Sequence, residues 1–196
     1  MAYSQFSLKS VREQFGLDII ENQDLFGHLA PVPISDGLKT LLAQNVPLAQ
    51  AINSEKARSE LIIINVLLEL KRQHPECSLF SGVDFTVDVA QGLTGFCDYL
   101  ISQSSEQFFI EAPVITIVEA KNENIIGGLG QCIAEMQAAR LFNEREKKPL
   151  AFVYGIVTTG VIWKFLKQDQ HTVWIDQADY FINHPEKILG VVRSWV

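Results

Sequence analysis

Ala112 to Lys121 limits the fold more than any other stretch. Ala112-Pro113 leads into Val114-Ile115-Thr116-Ile117-Val118, followed by Glu119-Ala120-Lys121. The β-branched run is too short for an ordinary helix and too apolar for a surface strand. It fits a central strand covered on both faces. Ionisable groups at the end of such a strand are costly to bury. Side chains alternate along a strand, which sends Glu119 and Lys121 to one face and Ala120 to the other. A carboxylate and an ammonium are therefore expected side by side where a buried strand meets solvent.

The chain before this strand reads as helices and then a hairpin. Ser7 to Phe15 has the pattern of a short amphipathic helix ended by Gly16, and Ala30-Pro31-Val32-Pro33 of an extended connector. Ser35 or Asp36 is placed to cap a second helix through Leu38, Leu41 and Leu42. Asn53 or Ser54 caps a long helix from Glu55 to about Gln73, whose apolar middle requires a sheet to pack against. Val83, Phe85, Val87 and Val89 alternate with Asp84, Thr86 and Asp88, the mark of a half-exposed strand. A turn at Gln91-Gly92 then returns the chain as a strand from Gly95 to Ser102, carrying Asp98.

After Lys121, Gly127-Gly128 opens a helix from about Leu129 to Glu146, on which Gln131 and Glu135 lie one turn apart. Strands are expected at Leu150–Thr158, Val161–Lys167 and His171–Ile175, with a closing helix opened by Pro185. The fold class is α/β (α+β): a central mixed β-sheet flanked by helices, in the order αβββαβ with a C-terminal hairpin. Residues 1–52 are read as an N-terminal helical extension packed on a core domain of residues 53–196.

The 196 residues are 47% hydrophobic, enough for a real core. Cys77, Cys97 and Cys132 form no CxxC pair, which argues against a zinc cluster or disulfide framework and fits a reducing compartment. Neither a leader pattern nor a run long enough to span a bilayer stands out, so a soluble cytoplasmic protein is expected. The net charge of −7 argues against tight unaided binding to nucleic acid, although a local patch can outweigh the total.

The order of elements, with Asp98 on the second core strand, Glu119-Ala120-Lys121 ending the third and Gln131 on the next helix, resembles the PD-(D/E)xK nuclease superfamily, also called restriction-endonuclease-like. Within it, the chain is similar to the nuclease domains of type I restriction motors. It also resembles an uncharacterised cyanobacterial group sharing runs such as Glu55-Lys56-Ala57-Arg58-Ser59-Glu60 and Gly130-Gln131-Cys132. The resemblance covers roughly residues 54–160. It departs at Cys97, where a proline often precedes the aspartate, and at Glu135, where a tyrosine often follows the glutamine.

The resemblance implies a nuclease hydrolysing DNA phosphodiester bonds with Mg²⁺, or Mn²⁺ in its place. Asp98, Glu119 and the Ala120 carbonyl would hold the metal, which takes oxygen ligands and keeps several waters. Lys121 would orient the attacking water or stabilise charge, Gln131 would position a phosphate or that water, and Glu60 (or Glu55) would supply a further acid. DNA binding would be weak unaided, leaving room for a second copy or a protein partner. The alternative is a catalytically inactive scaffold serving as a binding or interaction module.

Blander assignments cover the other candidates. Asp98 and Lys121 could form an ordinary ion pair, worth ~0–1 kcal/mol if exposed. Asp84 and Asp88 read as a solvated face, the histidines as surface or structural residues, and Trp163, Trp174 and Trp195 as core.

Overall fold

The computed structural model describes residues 2–196. A mixed sheet of eight strands runs through the molecule with helices on both faces. After a 3₁₀ turn at Tyr3–Gln5, the chain forms α1 (Leu8–Phe15), β1 (Asp18–Gln23) and α2 (Asp36–Ile52). α3 (Glu55–Arg58), a π-helical turn (Ser59–Ile63) and α4 (Ile64–Gln73) continue as one rod. Then come β2 (Ser78–Asp84), β3 (Phe96–Ser102), β4 (Val114–Ala120), α5 (Ile125–Arg145) and β5 (Val153–Thr158). The chain ends with β6 (Ile162–Gln168), β7 (Thr172–Asp176), β8 (Tyr180–Phe181) and α6 (Pro185–Arg193). The strand order is β1-β7-β6-β5-β4-β3-β2, with β8 added beside β6.

β4 is buried at every position, as its sequence requires. It pairs antiparallel with β3 and parallel with β5. The parallel step needs a crossover, and α5 supplies it. One apolar layer packs α1 and α5 against the sheet through residues such as Val11, Ile117, Ile133 and Met136. The opposite layer packs α2, the rod and α6 through Leu38, Ile62, Leu67, Val118 and Val192.

The helix starts follow from local capping. The Ser7, Ser35 and Ser54 side chains accept from the N–H groups of Ser10, Leu38 and Ala57, which satisfies first-turn donors that have no partner within the helix. Ser35 is itself held by both carboxylate oxygens of Glu69 in α4, at 2.8 and 2.9 Å. α1 ends at Gly16, whose φ of 62° is the left-handed conformation a glycine tolerates.

Several features depart from the sequence reading. The segment up to residue 52 is not purely helical, because Asp18–Gln23 forms an edge strand parallel to β7 and so completes the same sheet as the core. The strand expected over residues 83–89 lies instead at Ser78–Asp84, and only a loose hairpin continues beyond it. There the N-terminal residues intervene: the Tyr3 hydroxyl donates to the Phe85 carbonyl and the Tyr3 N–H to that of Thr94. His74, which has no evident partner in the sequence, bonds Glu76 at 3.0 Å. The three cysteines are free and buried. Among the described residues, no helix is long and apolar enough to cross a membrane.

Candidate functional site

The site forms where β3 and β4 meet the N-terminal half of α5. β3 and β4 pair Tyr99 with Val118, so the next residues outward, Asp98 and Glu119, occupy facing positions. The Ala120 N–H donates to Asp98 Oδ2 at 2.8 Å and fixes that carboxylate against the end of β4. Lys121 follows at once, anchored by its own N–H to the Thr158 carbonyl at 2.8 Å. Its ammonium forms an ion pair with Glu119 Oε1, as strand alternation demands.

α5 completes the cluster. Asn124 caps it by accepting from the Gly127 N–H. Gly128 then leaves space for the lysine: a Cβ there would stand 3.1 Å from Lys121 Cε and 2.8 Å from Val157 Cγ1. Gln131 reaches back across the gap. Its Nε2 donates to Glu119 Oε2 at 2.8 Å and to Glu135 Oε1 at 3.0 Å, while its Oε1 accepts from Lys121 Nζ at 3.4 Å. Asp98, Glu119, Lys121 and Gln131 are thus gathered in one place.

Burial dominates the electrostatics here. Glu119 is 1% exposed, and burial together with the charge of Asp98 pushes its carboxyl up to about 8. Asp98 is also raised by burial, against the opposing pull of the Ala120 N–H and Lys121. Burial disfavours charge on Lys121, but the Glu119 carboxylate outweighs it and holds the amine above its ordinary value. Glu135 is fully buried and lies well above the carboxylate range because of burial and then of Glu119. Acid outnumbers base in this cluster.

Beside it opens a cleft of about 290 Å³, lined by residues including Glu55, Ser59, Glu60, Ser81, Asp98 and Ala120. The π turn shapes its far wall, held through the Tyr99 hydroxyl, which donates to the Ser59 carbonyl at 3.1 Å. Such turns add a residue to a helix and are frequent at functional sites. Glu60 lies in this turn, but its carboxylate faces solvent and pairs with Lys56 at 2.9 Å. Glu55 is the acid of this helix whose charge bears on Glu119 and Lys121.

Two participants were not singled out from the sequence as site residues. Glu135 had a signal in its one-turn spacing from Gln131. Arg58 had none, since its three acceptors are far apart in the chain: Asn122 Oδ1 at 3.2 Å, the Thr159 carbonyl at 3.2 Å and Asn53 Oδ1 at 3.0 Å. It braces the loops that follow β4 and β5.

The donors present suit a hard divalent cation. They are two carboxyl groups that offer only oxygen, with Asp98 Oδ2 already oriented by backbone and Glu119 able to give up its proton to a cation. Among the described residues, no group of three His, Cys, Asp or Glu side chains is arranged to hold a metal ion. Any cation here would therefore rely on Asp98, Glu119, the Ala120 carbonyl and water. Comparison with known proteins gives no match to a family model, a curated protein or a solved structure.

Proposed function

We propose that the protein is a metal-dependent phosphodiester hydrolase of the PD-(D/E)xK type, acting on DNA. The observation that carries this reading is the Lys121 ammonium bonded to Glu119, with the Asp98 carboxylate across the strand pair, beside an open cleft. An ion pair that merely stabilises a fold does not need a half-buried and a buried acid beside it, and a perturbed cluster of this kind next to a cleft is a candidate functional site.

Asp98, Glu119 and the Ala120 carbonyl would hold Mg²⁺, which supplies a more acidic bound water and neutralises charge on the phosphate. Lys121 would set a positive charge beside the phosphoryl oxygens, which gain negative charge in the pentacoordinate transition state. Gln131 keeps the lysine and Glu119 in mutual register. Its carboxamide accepts from one and donates to the other. The buried sheet behind them excludes bulk water from one side, which strengthens each of these interactions.

The test is incubation of supercoiled and linear DNA with Mg²⁺ or Mn²⁺, comparing wild type with Lys121→Ala. Cleavage by wild type that needs the metal and is lost in the variant supports the reading. Equal cleavage by both would count against it.

A second reading is favoured by the acids around the cleft and by the net charge of −7. In it the scaffold binds a partner without turnover. Asp98→Ala would then retain the cellular effect of the protein, whereas hydrolysis requires its loss.

A further inference from the structure

Glu135 is a fully buried acid that the packing of the fold does not require. It is 0% exposed, it lies in the middle of α5, and its Oε2 has no hydrogen-bond partner among the described residues. Its surroundings include Cys97, Cys132 and Tyr3 of the apolar layer, whose ionisation is opposed first by burial and further by any charge on Glu135. A well-packed apolar residue at such a place is usually neutral or stabilising relative to a buried acid. The one bond Glu135 makes, to Gln131 Nε2 at 3.0 Å, is therefore the feature that accounts for it.

We propose that Glu135 is a positioning residue that fixes which way the Gln131 carboxamide faces and thereby holds the second acceptor of the Lys121 amine. The carboxamide has one orientation that agrees with its neighbours. Its NH₂ faces two carboxylates, Glu119 and Glu135, and its oxygen faces an ammonium, Lys121. Turned over, it would set an NH₂ against the ammonium, donor against donor, which is unfavourable in every protonation state of the two acids. Glu119 alone is an unreliable anchor, because Lys121 already takes its other oxygen. Among the described residues Glu135 has no competing partner, so it keeps one amide proton engaged whatever happens at Glu119. A neutral Glu135 still accepts through its carbonyl-type oxygen, and the Lys121 ammonium, which only the amide oxygen can face, keeps the same orientation selected.

The catalytic consequence of this role rests on the hydrolase reading, but the positioning itself does not, and the experiment separates the two. Side-chain ¹H–¹⁵N spectra of the full chain report the Gln131 carboxamide, identified by its disappearance in Gln131→Leu. In wild type both amide protons are expected downfield and protected from exchange with water. Glu135→Met removes the acceptor while filling the same space. It is expected to move one of the two proton resonances upfield and speed its exchange, with thermal stability kept or raised. Glu135→Gln retains an acceptor and is expected to preserve the wild-type pattern.

In turnover, Glu135→Met is expected to lower kcat about tenfold, the scale for losing a group that orients a working side chain. KM should stay unchanged and Glu135→Gln should restore kcat. An unchanged Gln131 spectrum in Glu135→Met would overturn the proposal, as would equal disturbance in Glu135→Gln. A wild type without metal-dependent turnover would sink the hydrolase reading alone, since the spectra would still decide the positioning. Normal turnover in Glu135→Met with an altered spectrum would overturn the link to Lys121.

Discussion

Glu119 is the residue on which most of the chemistry converges. It is held by Lys121 and Gln131, faces Asp98, and is raised to about 8 by burial and by that neighbouring charge. Because its folded value exceeds the ordinary 4.5, the folded state binds the extra proton between pH 4.5 and 8. Stability from this group is present below 4.5 and is lost as pH rises through 8. Asp98 and Glu135, shifted in the same direction, add to the slope. Urea unfolding in chelator should accordingly show lower stability at pH 8 than at pH 5, and Glu119→Gln should flatten part of that fall. A cation needs the ionised carboxylate, so Mn²⁺ affinity should rise with pH across the same window as the proton is displaced. Lys121→Ala should keep metal binding and lower turnover by about 10²–10³-fold, the scale for removing one group aimed at developing charge.

At the scale of elements, the glycines of α5 decide how closely its neighbours approach. A Cβ on Gly130 would lie 2.4 Å from the Ser7 carbonyl carbon and 2.5 Å from the Phe6 carbonyl oxygen, both backbone atoms that cannot swing aside. Gly130→Ala should cost about 1–3 kcal/mol in chemical denaturation, as overpacking does. At Gly128 the obstacles are the side chains of Val157 and Lys121, which can move. Gly128→Ala should cost less stability and more activity, by displacing the lysine. The sequence carried this region well. An all-apolar β-branched strand, a strand with one acid and the apolar stripe of a helix are each encoded locally, so β3, β4 and the body of α5 were legible. But α5 begins at Ile125 under an Asn124 cap and takes in Gly127-Gly128 instead of starting after them. The π turn was not, because its wall of the cleft is tied by Tyr99 on β3, forty residues away. The outward turn of Glu60 follows from its local pairing with Lys56, which spacing permitted but did not single out. β1 escaped notice for another reason: Asp18–Gln23 has only Ile19 and Ile20 as apolar residues, and an edge strand needs no more.

On the scale of the whole molecule, the first residues of the chain are part of the framework that carries the site. β1 covers the edge of β7, Leu17 and Phe6 enter the layer around α5, and Tyr3 closes the hairpin beyond β2. Removing residues 2–23 would strip that layer and bare a strand edge, which is a route to self-association. Such a truncation is expected to lose cooperative unfolding and to aggregate in light scattering. Charge sets the other global constraint. At −7 the protein repels a polyanion at long range, so any attraction to DNA must come from the cation and a few local groups. The most direct measurement of the central claim is therefore calorimetric titration of Mn²⁺ into wild type and into the Asp98→Ala/Glu119→Ala double variant. Saturable binding to wild type that vanishes in the double variant is the expected result. No binding to wild type at millimolar Mn²⁺, or equal binding to both, would contradict a metal held between these two carboxylates.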